Sequence, residues 1–437
     1  MRLPLLPSGS GPAPPSGARS RTGGAVARHP HNVVGRPDLR QEHGPAKILF
    51  QMLHINGAVL SGVDALAQVL DSQVLKEAAA NFSQRSFVRL DQVLNFRVLP
   101  ALGNSQSADR TTGLSSQLSS DGEACIDAVQ TSKAICVLQS ESATVPLEHG
   151  YIVGSSDATT CVLAFVVTLY GISCLHIDEQ TCTPAHLNRS LRGMQDSAGG
   201  ELFLVGGYDD NHGLSAKILR QVLHFYTTCS AELELKLAFV GRFNTKVQKC
   251  YADCASASSK GASHAHSAPR ISGAAFCPTR QVLTPAEIRY RGPMLVERQA
   301  RCMMKGPYAD IYDASRQCLV FEPWPHRLDC RTRRRLQRCC RVPDEVLLHL
   351  ISTSPHAERP SFASDVRACL ERLVRGSNGW MPLLARSPAA SDSHLPPNST
   401  NPVKTGPTGE TDTGVTPVRF IWREGTRDGK VGWYEEV

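Results

Sequence analysis

The sequence predicts a chain of mixed strands and helices, on three observations. Short apolar runs bounded by turn residues recur between Ala134 and Leu373 and read as strands. Longer stretches with a 3.6-residue apolar period read as helices. Tracts rich in Pro, Gly and Ser carry neither pattern and separate the rest, so the fold is expected to carry long disordered linkers.

Residues 1–46 are rich in Pro, Gly, Ser and Arg, and Asp38 is their first acid. Such a segment cannot bury enough apolar surface to fold, which predicts disorder. An Arg-rich, acid-poor leader also fits an organellar transit peptide, and both readings stand. Residues 47–133 form an unassigned segment: Val59, Val63, Leu66, Leu70 and Val74 predict a helical stripe, and 103–122 are a Ser/Gly-rich linker. Residues 134–375 are the expected catalytic core. Strands are predicted at 134–138, 151–153, 162–169, 172–177, 201–205, 235–240, 271–276, 308–312 and 318–322. Helices are predicted over 214–227, 285–304 and 361–374, the last with Asp365 near its positive end. A Ser-rich stretch at 255–270 reads as a surface loop. Residues 376–417 are a second linker. Residues 418–437 read as a hairpin, VRFIWRE and VGWYEE joined through the turn pair Asp428-Gly429.

Composition narrows the function classes. Of 437 residues, 41% are hydrophobic, enough for one substantial core. The formal charge of +7 permits anionic partners without demanding them, so nucleic acid is not the expected partner. The 15 cysteines, an odd number without regular spacing, predict free thiols in a reducing compartment. The first residues, MRLPLLPSGSGPAPP, lack the apolar segment of a secretory signal. The longest apolar run, Cys161 to Leu175, is shorter than the ~20 residues of a membrane helix. A monomer in the cytoplasm or nucleus, without a membrane partner, is the expectation.

The stretch Gly154–Cys161, GSSDATTC, carries the chemistry. It follows the apolar run Tyr151-Ile-Val and precedes another, Val162 to Leu169, so Cys161 stands where a polar turn re-enters a sheet. His176 closes the next run, Ile172-Ser-Cys-Leu. A thiol and an imidazole at the ends of neighbouring strands can act as nucleophile and base. Both must then share one sheet face, because a one-residue slip in register turns a side chain to the other side.

Five stretches, in this order, resemble the protein N-terminal asparagine amidohydrolase family: GSSDATTC at 154–161, ELFLVGGYDD at 201–210, RGP to IYDA at 291–314, ISTSPHAERPSF at 351–362 and the WRE…DGKVGWYE tail. The layout is also similar to that of chemoreceptor glutamine deamidases. The resemblance implies an α+β fold: a central β-sandwich flanked by helices, with a Cys–His pair on adjacent strands. It implies Cys161 as nucleophile, His176 as base and Ser155 as the hydroxyl that completes a triad. Where the family turn usually has two consecutive acids, this chain has Ser156-Asp157. The implied reaction converts an N-terminal Asn to Asp with loss of ammonia, preparing a protein for the N-degron pathway. No cofactor or metal is expected, because thiol, imidazole and water suffice.

Backbone N–H groups at Thr160 and Cys161 are the expected oxyanion hole. A free α-ammonium calls for a carboxylate, and Asp157 and Asp209 lie beside the two signature turns, with Asp210 next to the latter. Gly206 and Gly207 would let backbone approach a ligand closely. Two alternatives stand beside this reading: a non-catalytic binding module of the same fold, and a thiol deamidase acting on internal Gln. Cys250, Cys254, His264 and His266 have too loose a spacing for a zinc site. The tract from Arg327 to Arg341 reads as a solvated face.

Overall fold

Near-continuous apolar runs give the central strands two buried faces, and this pattern builds the molecule in layers. The computed structural model describes residues 53–60, 64–85, 87–90, 96–99, 133–192, 194, 199–250, 264–322, 328–375, 417–423 and 432–435. The first 46 residues, the linker residues 376–416 and the tail turn 424–431 lie outside the described residues, as do Val63, Cys254 and residues 103–122.

The larger sheet has eight strands in the order Ala309–Asp310, Glu141–Pro146, Gly171–Ile177, Val162–Val167, Gly200–Gly206, Leu233–Phe239, Leu53–Ile55 and Ala58–Val59. A second sheet has six strands: Phe96–Leu99, Phe87–Leu90, Val282–Ile288, Ala274–Cys277, Ile152–Ser155 and Ala134–Cys136. Between them lies one core, in which Leu163, Phe165, Ile172 and Cys174 of the first sheet meet Ile135, Val153, Ala274 and Phe276 of the second. The alternate residues Val162, Ala164, Leu175 and Ile177 face the other way. They pack with Ile218, Leu219 and Val222 of helix Leu214–Thr228 and with Ala65 and Val69 of helix Ala65–Asp71. The α+β class and the helix-flanked sandwich are therefore present.

A four-stranded sheet joins Tyr312–Asp313, Cys318–Phe321, Val418–Arg423 and Gly432–Glu435. The expected tail hairpin pairs antiparallel with Trp422 opposite Trp433. A two-stranded ribbon pairs Thr245–Cys250 with His264–Pro269. The end of the expected 255–270 loop is therefore strand, while 251–263 lie outside the described residues.

Several expected elements take another form. The helix expected over 285–304 is strand Val282–Ile288 followed by helix Leu295–Met303. Gly292, at φ +84°, and Pro293 break the chain between them. The stripe at Val59, Leu66, Leu70 and Val74 does not form. Val59 sits in a strand and is 42% exposed, and Val74 is 47% exposed. Helix Gln73–Gln84 instead buries Leu75, Ala79 and Phe82. The arginine tract folds as helix Cys330–Cys339, which buries Leu336 and turns Arg331, Arg334 and Arg338 outward.

Candidate active site

The turn Ser156–Cys161 connects the two sheets. Strand Ile152–Ser155 belongs to one and strand Val162–Val167 to the other. Gly154 is required within the second sheet, because a Cβ there would stand 2.6 Å from the Ala274 carbonyl oxygen of the neighbouring strand. Asp157 turns the chain at φ +63°, and Ala158 N–H donates to the Ser272 carbonyl at 2.8 Å.

Register decides which side chains meet. Val162 pairs with Ile177 and Leu163 with His176. Position 161 shares the face of Leu163, so Cys161 and His176 are diagonal neighbours on the inner face. Such neighbours lie within reach of long side chains, at a typical Cα separation of ~7–8 Å. Both line one cleft of about 90 Å³.

Ser155 approaches from the opposite sheet. Its Oγ lies 2.8 Å from His176 Nδ1 and donates to the Val137 carbonyl oxygen at 2.5 Å. A hydroxyl has one proton, so with that proton on Val137 the ring must donate from Nδ1 to Oγ. The lone pair of His176 is then on Nε2, which is buried with no hydrogen-bond partner among the described residues. This is the tautomer a base for the Cys161 thiol needs.

Burial acts on both groups. It pushes the Cys161 thiol well above its ordinary value, and the Asp178 carboxylate adds to the shift. Burial also lowers His176 to about 4, against a smaller opposing pull from Asp178. The resting pair is therefore a neutral thiol and a neutral imidazole, not the thiolate–imidazolium pair of many thiol enzymes.

The cleft brings together charged residues far apart in sequence. Asp157 Oδ2 accepts from Arg291 and, at 2.9 Å, from Arg359 Nε. Arg359 also pairs with Asp365. Two acids thus face two bases, and Asp157 is already neutralised rather than open to a substrate ammonium. Glu358 is the remaining carboxyl of the lining. Ser352 Oγ donates to its Oε1 at 2.5 Å, and burial raises it to about 7.

Behind the cleft a buried ion triad fixes the walls. Glu141 accepts from Arg298 Nη2 at 2.6 Å, from Arg301 Nη2 at 2.7 Å and from Leu138 N–H at 2.9 Å. Burial alone would raise the Glu141 carboxyl, but the two guanidiniums hold it below the usual range. Arg298 also donates to the carbonyls of Arg291 and Cys136, at 2.5 and 2.6 Å.

The other sequence-derived residues stand elsewhere. Gly206, Gly207 and Asp209 are not in the cleft lining. Gly206, at φ +97°, abuts the turn that ends at Cys161: a Cβ there would lie 2.8 Å from the Cys161 carbonyl oxygen. Gly207, at φ +58°, offers its carbonyl to Asn244 Nδ2 at 3.1 Å. Asp209 is exposed, and its N–H donates to Thr245 Oγ1 at 2.8 Å. Asp210 caps helix Leu214–Thr228 through the N–H groups of Leu214 and Ser215. Thr160 lines the cleft beside Cys161, its Oγ1 3.2 Å from Thr353 Oγ1. Among the described residues no group of three His, Cys, Asp or Glu is placed to hold a metal ion, and no helix is long and apolar enough to cross a membrane.

Sequence reasoning missed Arg291, Glu358 and Arg359. Each lies within a stretch that carries the resemblance, 291–314 or 351–362, but only the fold shows which charges pair.

The model of the family described as protein N-terminal asparagine amidohydrolase matches residues 125–381, more than half of the chain and all of the cleft described above. The chain belongs to the protein N-terminal asparagine amidohydrolase family. Among relatives, the human protein N-terminal asparagine amidohydrolase is 28% identical over 231 residues, covering 50% of this chain and 67% of its own length. The mouse protein of that name is 28% identical over 226 residues, with the same coverage. Strands Leu53–Ile55 and Val418–Arg423 lie outside the family match, yet they extend two of the sheets.

Proposed function

We propose that this chain hydrolyses the side-chain amide of an N-terminal Asn, giving Asp and ammonia through a thioester on Cys161. The observation that carries the reading is the Ser155–His176 hydrogen bond, which leaves an unpartnered Nε2 on the sheet face it shares with Cys161. Because both groups rest neutral, proton transfer accompanies attack. Sγ bonds to the carboxamide carbon as its proton passes to His176 Nε2. The N–H groups of Thr160 and Cys161 receive the oxyanion, one such donor being worth ~3 kcal/mol. The imidazolium then protonates the departing nitrogen, the C–N bond breaks, and ammonia leaves. Water attacks the thioester, gives a proton to Nε2, and the second tetrahedral species expels the sulfur. The thiol regains its proton and the product carboxylate departs.

Glu358 receives the α-ammonium, the role the sequence suggested for Asp157. Asp157 is spent on Arg291 and Arg359, whereas Glu358 is a half-buried carboxyl in the same cleft lining as the thiol, with no cation of its own among the described ion pairs. A partly desolvated carboxylate that lacks a cation is costly, and a substrate ammonium relieves that cost. The product Asp terminus would enter the N-degron pathway, with protein N-termini as partners in the cytoplasm or nucleus.

The test is direct. The full chain is incubated under reducing conditions with Asn-initiated and Gln-initiated peptides. Ammonia release and a mass gain of about one dalton on the Asn peptide alone are expected, both lost in Cys161→Ala. A folded protein that releases no ammonia from Asn peptides would overturn the reading.

A further inference from the structure

The arginine tract faces solvent, as the sequence suggests, but its charges are not scattered. In helix Cys330–Cys339, Arg331, Arg334, Arg335 and Arg338 stand at i, i+3, i+4 and i+7. They share one face over about 10 Å of helix axis. Leu336 is buried on the opposite side, where this helix packs against helix Phe362–Arg375. Arg331, Arg334 and Arg338 are exposed, Arg335 is half-buried, and the exposed Arg341 continues the row past the helix end. We propose that this row of arginines is a docking surface for the phosphate backbone of double-stranded nucleic acid, held without regard to base sequence.

These charges have little to oppose them among the described residues. Asp329 is the one acid between Leu328 and Arg341, and it caps the helix through the N–H and Oγ1 of Thr332, both at 2.7 Å. Asp344, on the next helix, is held by Arg367. Glu371, on the helix behind, pairs with Arg375 at 2.8 Å. None of the five arginines enters an ion pair among the described residues. Like charges three and four positions apart repel and destabilise a helix, and an anion laid along them removes that repulsion. The net charge of +7 carries no such implication, because it does not show where the charges gather.

The side chains decide which polyanion fits. Every cation of the row is an arginine, whose planar fork matches phosphate oxygens. The outward face carries no aromatic ring to stack on an unpaired base. It also offers no large apolar side chain to a lipid layer, since Leu336 is turned inward. A duplex presents one phosphate charge per ~1.7 Å of its axis, so the row faces several fixed phosphates at once. Contacts of this kind position a protein without reading bases. None of the five arginines lines the cleft that holds Cys161, so the surface is separate from the proposed reaction.

Fluorescence anisotropy of the full chain with labelled DNA and RNA duplexes of about 20 base pairs tests the surface, at salt from about 50 to 200 mM. Micromolar binding is expected, alike for unrelated sequences, with log K falling against log salt at a slope of about −3 to −4, near 0.9 per phosphate contact. Arg334→Glu with Arg338→Glu should weaken binding more than about tenfold and flatten the slope by about 2. Arg334→Gln with Arg338→Gln removes the same charges without reversing them and should weaken binding in the same direction. Thermal unfolding and ammonia release from Asn peptides should match the wild type in both pairs, which shows that the change lies on the surface alone. No duplex binding at about 50 mM salt, or affinity and slope untouched by both pairs, would overturn the proposal. Tighter binding of poly-glutamate, or of phosphatidylserine vesicles, through the same arginines would also overturn it and give the row to an acidic protein or a membrane.

Discussion

The neutral Cys161–His176 pair has consequences that differ from those of a preformed thiolate. A buried thiol raised by desolvation should not stand out towards alkylating reagents at pH 6 to 7. Iodoacetamide with mass-spectrometric mapping should label the exposed Cys330 at least as fast as Cys161. Dominant labelling of Cys161 at pH 6 would mean that the ion pair forms without substrate. Ser155→Ala removes the acceptor that holds the ring proton on Nδ1, so kcat should fall about 10²-fold with KM unchanged. Substrate capture should titrate with Glu358 instead. The profile of kcat/KM reports groups in the free enzyme. Glu358 must be ionised to hold an ammonium, so kcat/KM rises as pH climbs through about 7. It falls again above ~8, where an α-amine loses its proton. His176, at about 4, contributes no limb in this range. Glu358→Gln should abolish the acid limb and raise KM about 10- to 100-fold, the worth of a hydrogen bond to a charged group. An unchanged acid limb in that variant would assign the ammonium to another residue.

At the scale of elements, what was legible in the sequence follows how local the information is. The strands flanking Cys161 are continuous apolar runs ended by turn residues, so their place, and the nearness of His176, could be read directly. The strand Glu141–Pro146, ESATVP, has one aliphatic side chain besides Ala and Pro and gives no such signal, although it pairs beside the His176 strand. Charge pairing was illegible for the same reason. Asp157 and Arg359 are 202 positions apart, and nothing local announces that they meet. The Gly206-Gly207 pair was visible, but its use was not, because the sequence shows a freedom of backbone without showing what approaches it. The structure places the Cys161 carbonyl against Gly206, which gives a test. Gly206→Ala must hold an L-residue at φ +97°, at a cost of ~1–3 kcal/mol. Its Cβ must also displace the Cys161 carbonyl. Thermal unfolding should shift down and kcat should fall together, while Gly213→Ala, where a Cβ meets nothing within 4 Å, should lose stability without comparable loss of kcat.

At the scale of the molecule, the proposed chemistry needs the two sheets to keep their spacing, because Ser155 hangs from one sheet and His176 from the other. The core between the sheets sets that distance, and the C-terminal strands help to hold it. Trp433, 8% exposed, stacks on Tyr151 at 5.6 Å with the rings 12° from parallel, and its Nε1 donates to the Ala134 carbonyl at 3.3 Å. Trp422 meets it edge-on from the neighbouring strand at 5.4 Å. Tyr151 immediately precedes strand Ile152–Ser155, and Ala134 begins the strand beside it. A residue from the last strand of the chain therefore braces the strand that carries the orienting hydroxyl. Trp433→Ala leaves an aromatic-sized void against that strand and should cost about 3–5 kcal/mol. If the brace acts on the site as well as on the fold, kcat should fall at temperatures well below the unfolding transition, with KM for short Asn peptides held. Trp433→Phe keeps a stacking ring and should recover kcat more fully than stability, since the indole N–H bond to Ala134 and part of the ring's buried volume are lost. Loss of stability in Trp433→Ala with kcat intact in the folded range would confine the C-terminal strands to holding the fold and leave the inter-sheet core alone to set the Ser155–His176 distance.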